Sequence, residues 1–413
     1  MESAPALLSA HAVLLDAAII LGSGAICRYV AGGVRVPDIV LYLLAGVILG
    51  PAVLGVINIP AGSALNHVVL LFGASFILFD GGATLRIRVL KKVWITIVVI
   101  ATLGVLITAF VTGLAAQYLL GLPLGFALLL GATLASTDPA TLVPVFRQIH
   151  IRERVAQTVI GESALNDAIA AIFTLTLLGV ALGTQGFDFL HASGDLLWNA
   201  GLGLLLGAAI GYVAAFLIGH ERLGFLQESV PLVALICVLG AYLSAGRFGA
   251  SGFMSVFVAG VVVGNRDSIG LRLKPREEAQ LEEFMDITSL IMRIFIFVLL
   301  GTHVDFRLVL QHLWPAVAVV LLFMLVARPL TVFICAAPDR RASWSRNELL
   351  FMCWTRETGV ISAALAGILV ARDAPHADVI AAVTFMAILM TILVQATTTR
   401  WLARRLGLLE TPE

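Results

Sequence analysis

The chain has 413 residues, of which 60% are hydrophobic and 13% are charged, and its mean hydropathy is +1.02. Soluble domains carry about 25% charged residues, so this composition excludes an ordinary soluble fold and predicts an integral membrane protein. The 26 basic and 26 acidic residues cancel to a net charge of zero. A chain without net basic charge lacks the usual electrostatic basis for binding nucleic acid, and we expect no such partner.

Thirteen segments are apolar enough to cross the hydrocarbon core, which takes about 20 residues of helix. These segments, spans 1–13, comprise residues 10–32, 37–55, 65–84, 93–118, 122–146, 155–183, 195–219, 228–247, 250–265, 284–304, 307–336, 345–371 and 378–402. Span 9 is short and rich in glycine, and spans 5, 6 and 12 contain charged residues. The pattern predicts an all-α polytopic membrane protein with 13 transmembrane helices.

Basic residues lie mostly on one side of the predicted membrane. If the N-terminus is outside, the outer loops contain only Arg247, Arg307 and Arg372, and the cytoplasmic loops contain most of the 26 Lys and Arg residues. Because Lys and Arg concentrate in cytoplasmic loops, the sequence predicts an outer N-terminus and a cytoplasmic C-terminus.

Two pairs of similar segments recur seven spans apart. Residues 45–50 of span 2 (Ala-Gly-Val-Ile-Leu-Gly) resemble residues 259–264 of span 9 (Ala-Gly-Val-Val-Val-Gly), and residues 137–143 of span 5 align with residues 355–361 of span 12. An odd number of spans reverses orientation, so we predict inverted six-helix repeats with unwound, crossing spans 5 and 12, typical of alternating-access carriers. The predicted domains are residues 1–183 (spans 1–6, first repeat), 184–227 (span 7, linker helix) and 228–413 (spans 8–13, second repeat).

Span 5 places Asp138 directly before Pro139 at mid-membrane. Proline removes a backbone donor and disfavours helix at the preceding residue, so the span is predicted to unwind near Thr137. Freed carbonyls and a carboxylate facing a cavity suit a small hard cation. The structural alternative is a kinked helix in which Asp138 is merely hydrogen-bonded.

Span 6 contains a polar stripe, because Glu162 and Asn166, like Ser163 and Asp167, are four residues apart and share a helix face. A charge at lipid depth costs about 2.5–3.5 kcal/mol or more, which favours a function over a structural ion pair. Desolvation favours a protonated carboxyl and a bound cation favours the ionised form, so Asp167 is predicted to hold either a proton or a cation. The rest of the predicted cation shell is Asp138, Ser163 and carbonyl groups near Thr137.

Span 12 places Arg356 where the repeat places Asp138. An arginine that is always charged suits a structural counter-ion; it would offset Asp138 across the crossing or pair with Glu162, and we favour Glu162. Asp80, near the inner end of span 3, either lines a cytoplasmic access funnel or sits at the interface. Asp16 is left without a role, and structural pairing is the default for Arg293, Arg328 and Glu357.

These motifs resemble the NhaP-type family of monovalent cation:proton antiporters. The specific similarities are Ser136-Thr137-Asp138-Pro139 in span 5 and Gly161-Glu162-Ser163 with Asn166-Asp167 in span 6; Arg328-Pro329-Leu330 and the glycine motifs are less specific. The resemblance covers nearly the whole chain. It implies a homodimer in which a core domain, spans 4–6 and 11–13, moves against a dimerisation domain made by the remainder.

Residue roles also follow from the resemblance. The pair Asn166-Asp167 is similar to the electroneutral branch of the family. The family motif Trp-x-Gly-Leu-Arg-Gly is altered here, because Trp354 is followed by Thr358 at the arginine position and Arg356 comes two residues early. The resemblance implies an ion site at Thr137, Asp138, Ser163 and Asp167, and a buried ion pair between Glu162 and an arginine of span 12.

The sequence therefore predicts a secondary antiporter that exchanges Na⁺ or Li⁺ for H⁺ electroneutrally. A K⁺/H⁺ antiporter would use the same oxygen ligands, and a passive cation channel is the alternative from another class. An enzyme is not expected, because Ser163 lacks a nucleophile-elbow motif and no HExxH sequence occurs. We expect no cofactor, a multi-pass location in a prokaryotic plasma membrane, and the cation, the proton, the bilayer and a second copy as partners.

Overall fold

The computed structural model describes residues 4–34, 37–137, 151–182, 189–220, 226–304 and 306–409, and these ranges are almost wholly helical. The first half contains helices α1 (Ala4–Val34), α2 (Asp38–Leu49), α3 (Ala64–Ala83), α4 (Ile87–Leu120), α5 (Leu124–Ala135), α6 (Glu153–Ala181) and α7 (Phe189–Gly219). The second half contains α8 (Val230–Arg247), α9 (Gly252–Gly264), α10 (Pro275–His303), α11 (Leu313–Cys335), α12 (Arg346–Trp354), α13 (Val360–Ala371) and α14 (Ala377–Arg405).

Within the described ranges, nine helices are long and apolar enough to cross a membrane. Four further apolar helices, α2, α5, α9 and α13, are between 10 and 17 residues long. The prediction of an all-helical, multi-pass membrane protein is therefore confirmed. The count of 13 spans stays a prediction.

Helical structure ends at the polar motifs of spans 5 and 12. Helix α5 ends at Ala135, and Ser136 is extended at φ −69° and ψ 142°. Helix α12 ends at Trp354 and α13 begins at Val360, which leaves Thr355–Gly359 without helical structure. The polar residues between Thr355 and Gly359 thus interrupt span 12, as the sequence predicts, and an interruption buried within protein is compatible with a membrane.

Two long helices, α11 and α14, each contain a π-helical turn. These turns are Phe323–Ala327 in α11 and Thr391–Ala396 in α14. In α11 the turn comes just before Arg328-Pro329, where proline cannot supply the next helical donor. Such turns rotate the side chains that follow, and they recur at functional sites.

The helices pack as two groups. Helices α4, α5, α6 and α11–α14 contact one another, and helices α1–α3 and α7–α10 contact one another. Glycines allow two close crossings in the second group: a Cβ on Gly46 would lie 2.1 Å from the carbonyl oxygen of Val298, and one on Gly260 would lie 2.1 Å from that of Phe79. Helix α2 therefore packs tightly on α10, and α9 on α3.

Candidate functional site

The interruption after α5 is held against α6 by side chains that the sequence analysis singled out. The amide Nδ2 of Asn166 donates to Thr137 Oγ1 at 2.9 Å, and the Thr137 N–H donates to Asn166 Oδ1 at 3.3 Å. Ser163 Oγ donates to the Thr137 carbonyl oxygen at 2.8 Å and lies 2.8 Å from Thr137 Oγ1. All three residues are buried, so the non-helical backbone at Thr137 has protein partners in place of water.

Asp167 is the buried acid of this cluster. Its side chain is on α6, only 4% exposed, and its Oδ1 accepts a hydrogen bond from Ser136 Oγ at 2.5 Å. Ser136 and Thr137 are consecutive, so one short extended segment contacts Asp167 through the first residue and Ser163 and Asn166 through the second. Oxygen atoms of hydroxyl, carboxyl, carbonyl and amide groups are thus gathered around the end of α5.

Of the predicted ion-site residues, the structure brings together Thr137, Ser163 and Asp167, with Asn166 beside them. Asp138 lies outside the described residues. Ser136 is a further residue of the site, since the sequence motif contains it but the predicted ion site does not include it. Its contact could have been predicted, because a hydroxyl next to an unwound point of one helix can turn toward a polar group on the next.

The prediction that Glu162 pairs with Arg356 was wrong. Glu162 pairs with Arg328 of α11 in a bidentate contact: Nη1 donates to Oε1, and Nη2 donates to Oε2 at 2.9 Å. The Arg328 Nε also donates to the Met352 carbonyl oxygen at 2.8 Å, near the end of α12. Glu162 and Arg328 are 2% and 1% exposed, so the pair is fully buried.

Arg356 has a different contact from the one predicted. Its Nη2 donates at 2.7 Å to the carbonyl oxygen of Ala135, which is the last residue of α5. Its guanidinium carbon lies 5.2 Å from the centre of the Phe323 ring. The physical reason is the unwound backbone after Trp354, which turns Arg356 toward the end of α5. A cation there stabilises the negative end of a helix dipole.

The two interrupted spans contact each other directly. Besides the Arg356 contact, Ser362 Oγ of α13 donates to the Thr133 carbonyl oxygen at 2.7 Å. Glu357, the residue after Arg356, is also buried. The interruptions therefore form one buried crossing in which both arginines contact protein oxygens.

Asp80 lies in the last turn of α3 and is half-buried. Its Oδ2 accepts a hydrogen bond from Ser289 Oγ of α10 at 2.7 Å, and Arg293 Nε donates to the Ser289 carbonyl oxygen at 3.3 Å. Asp80 thus belongs to the α3–α10 contact in the second helix group. Its place in an access funnel stays a prediction.

Chemically, the crossing combines two kinds of buried group. The carboxyl of Asp167 accepts a hydrogen bond from the Ser136 hydroxyl, a group that can also rotate to accept one. Glu162 is held by the bidentate guanidinium of Arg328. Discontinuous membrane helices that gather polar ligands near the middle of the membrane recur in secondary transporters.

The chain belongs to the sodium/hydrogen exchanger family. Residues 20–405 match the transmembrane region of that family. The resemblance drawn from the motifs of spans 5 and 6 is thereby confirmed.

Three curated relatives illustrate the range of identity and coverage, and of the ions named for them. Na⁺/H⁺ antiporter 1 of Methanocaldococcus jannaschii is 31% identical over 424 residues, 95% of this chain and 95% of its own length. The K⁺/H⁺ antiporter NhaP of Alkalimonas amylolytica is 31% identical over 354 residues, 83% of this chain and 57% of its own length. The Na⁺/H⁺ antiporter ApNhaP of Aphanothece halophytica is 29% identical over 338 residues, 81% and 63% respectively. The chain thus spans less than two thirds of the last two proteins.

A solved structure shares the fold. The sodium proton antiporter MjNhaP1 from Methanocaldococcus jannaschii, determined at pH 8, superposes with a TM-score of 0.84 at 29% identity, covering 96% of this chain and 98% of that one.

Proposed function

We propose that this chain is a secondary antiporter that exchanges Na⁺, or Li⁺, for H⁺ by alternating access across the membrane. The observation that carries the proposal is the buried Asp167 carboxyl, hydrogen-bonded to Ser136 at an interrupted span within a sodium/hydrogen exchanger fold. A carboxyl in that position can bind a proton or a cation in turn.

Competition at one carboxyl supplies the coupling. In its ionised form Asp167 offers negatively charged oxygen ligands to a hard monovalent cation. In its protonated form it is neutral and no longer attracts the cation. Ser163 and Thr137 are 2.8 Å apart and would add oxygen ligands, and Asp138 follows Thr137 directly in the chain. Because both ligands cannot occupy Asp167 together, binding one releases the other.

Exchange of one cation for one proton at Asp167 is electroneutral. Asn166, next to Asp167, is an amide that cannot take up a proton in the working range, and it is engaged with Thr137. Glu162 is held by Arg328 and contributes no exchangeable charge. One cation then crosses for each proton, and no net charge moves.

Alternating access would come from movement between the two helix groups. The group α4–α6 with α11–α14 contains the whole crossing, which supports a core domain of spans 4–6 and 11–13. The remaining helices would form the dimerisation domain of a homodimer. Asp80 lies in that second group, where it would line the cytoplasmic funnel.

The inverted repeat is supported by matching glycine contacts. Gly46 of span 2 packs on α10 in span 10, and Gly260 of span 9 packs on α3 in span 3, at the same 2.1 Å approach. Exchanging the two repeats turns the first contact into the second. Thirteen spans, an outer N-terminus, a prokaryotic plasma-membrane location and transport without a cofactor complete the proposal.

K⁺/H⁺ exchange is the second candidate. A relative that is 31% identical over 83% of this chain is named a K⁺/H⁺ antiporter, and hydroxyl and carbonyl oxygens can ligate either ion. Selectivity depends on the size of a site that includes Asp138.

Purified full-length protein in proteoliposomes tests the proposal. With a pH dye inside, we expect Na⁺ or Li⁺ to dissipate an imposed pH gradient, with a rate unchanged by a membrane potential. A response to K⁺ alone would favour the second candidate. Failure of all three ions, or single-channel currents, would refute antiport.

A further inference from the structure

A second polar cluster lies in the other repeat, where α14 passes the interruption of span 12. Two hydrogen bonds fix this contact: Trp354 Nε1 donates to Thr398 Oγ1 at 2.8 Å, and the Thr358 N–H donates to Thr391 Oγ1 at 3.2 Å. Thr391 and Gln395 lie in the π-helical turn of α14, and Thr398 lies in the α-helical turn that follows it. Gln395 is therefore bracketed beside the non-helical segment between Trp354 and Thr358.

Gln395 is fully buried, with 0% exposure. Among the described residues, neither its Nε2 nor its Oε1 has a hydrogen-bond partner, and the same is true of the buried Thr358 Oγ1. Burying a polar group without a partner is unfavourable. An amide with both ends in this condition, one helical turn from Thr391, indicates a ligand at this site.

The donors and acceptors select the chemistry of that ligand. An amide nitrogen only donates, whereas an amide oxygen only accepts, so the ligand must both accept and donate. Water does both, and a metal cation would leave the amide nitrogen unmatched. Buried waters typically make about three hydrogen bonds to groups of this kind.

We propose that Gln395 and Thr358 bind an ordered water that pins the non-helical segment of span 12 against α14, and that Gln395 is a positioning residue for the ion site. The connection runs through Arg356, which lies in that segment and donates to Ala135, whose neighbour Ser136 donates to Asp167. Loosening the segment would therefore disturb the geometry at Asp167. Only this second, functional part rests on the proposed antiport.

The water itself is tested on the wild-type full chain in lipid nanodiscs, by electron cryomicroscopy at a resolution that shows ordered solvent. We expect a density peak about 2.7–3.2 Å from the Gln395 amide. An amide that instead bonds to protein atoms, or that has no peak within that distance, would overturn the site. This outcome does not depend on transport.

The positioning role is tested with Gln395→Met, which keeps the length of the side chain and removes its polar atoms. We expect the apparent KM for the transported cation to rise about fivefold, the effect of roughly 1 kcal/mol, with the maximal rate within about twofold. Gln395→Asn, which keeps an amide, should restore most of the affinity.

Thr397→Val is the matched control, because Thr397 is exposed in the same part of α14 and its hydroxyl bonds only to its own helix. Equal KM values for Gln395→Met and Thr397→Val would overturn the positioning role. If wild-type protein moves neither Na⁺, Li⁺ nor K⁺, the proposed function fails, while the density still decides whether the water is bound.

Discussion

The two interrupted spans use the same backbone device with opposite side-chain chemistry. After α5, Ser136 and Thr137 form hydrogen bonds with hydroxyl, amide and carboxyl groups of α6. After α12, the non-helical segment carries Arg356, which contacts the carbonyl end of α5. The first segment thus brings hydroxyl groups to the crossing, and the second brings a guanidinium.

Helix α6 shows the same difference within two turns. Glu162 accepts two hydrogen bonds from the Arg328 guanidinium, which cannot lose its proton. Asp167 accepts from a hydroxyl whose proton can turn elsewhere. Two carboxyl groups of similar burial on one helix thus have different donors, a guanidinium for Glu162 and a hydroxyl for Asp167.

Removing the exchangeable carboxyl should have the largest effect. Asp167→Asn keeps the size of the side chain and can still contact Ser136, but it cannot bind a proton or ligate a cation as an anion. We expect exchange to be abolished with normal membrane insertion, measured by dye-reported pH change in everted vesicles. Ser136→Ala, which removes only the donor, should retain measurable exchange. Full activity of Asp167→Asn would contradict the carrier role.

Breaking the fixed pair should mainly reduce stability. Arg328→Met leaves Glu162 buried without its guanidinium, which costs about 3–5 kcal/mol, whereas Glu162→Gln with Arg328→Met should recover most of that loss. Thermal unfolding of the single and double variants in detergent gives the coupling energy.

The same set of single and double variants for Glu162 and Arg356, a second double-mutant cycle, serves as the control for that experiment. Arg356 contacts the Ala135 carbonyl oxygen and the Phe323 ring, so its coupling to Glu162 should be much smaller. Equal coupling in the two cycles would show that the arginines share Glu162, and the distinction between fixed and exchangeable charges would then rest on Asp167 alone.

Much of this arrangement could be predicted from the sequence, because its causes are local. Asp138-Pro139 marks an unwound point, the i, i+4 spacing aligns Glu162 with Asn166, and an arginine in span 12 indicates a buried charge. The partner of Glu162 could not be predicted in this way. It depends on how far the chain turns after Trp354 and on a π-helical turn before Arg328, and periodicity reports neither.

The smallest expected effect concerns Asp339, which lies outside the membrane-spanning segments. Like that of Glu162, its carboxylate is held by hydrogen bonds. Partial burial raises the pKa of Asp339, but hydrogen bonds from the Thr96 hydroxyl and the N–H groups of Ala342 and Arg341 outweigh it and hold the pKa below its ordinary value. A lowered pKa means that the ionised form stabilises the fold above about pH 4, the unfolded value, and that this contribution is lost as the pH falls further. Wild-type protein in detergent should therefore lose part of its thermal stability below pH 4, by less than about 1 kcal/mol because the site is partly exposed. Asp339→Asn should lack this loss of stability, and Asp267→Asn, at an exposed position in a short 3-10 helix, should keep it. A loss that survives in Asp339→Asn would assign the acid sensitivity to another carboxylate.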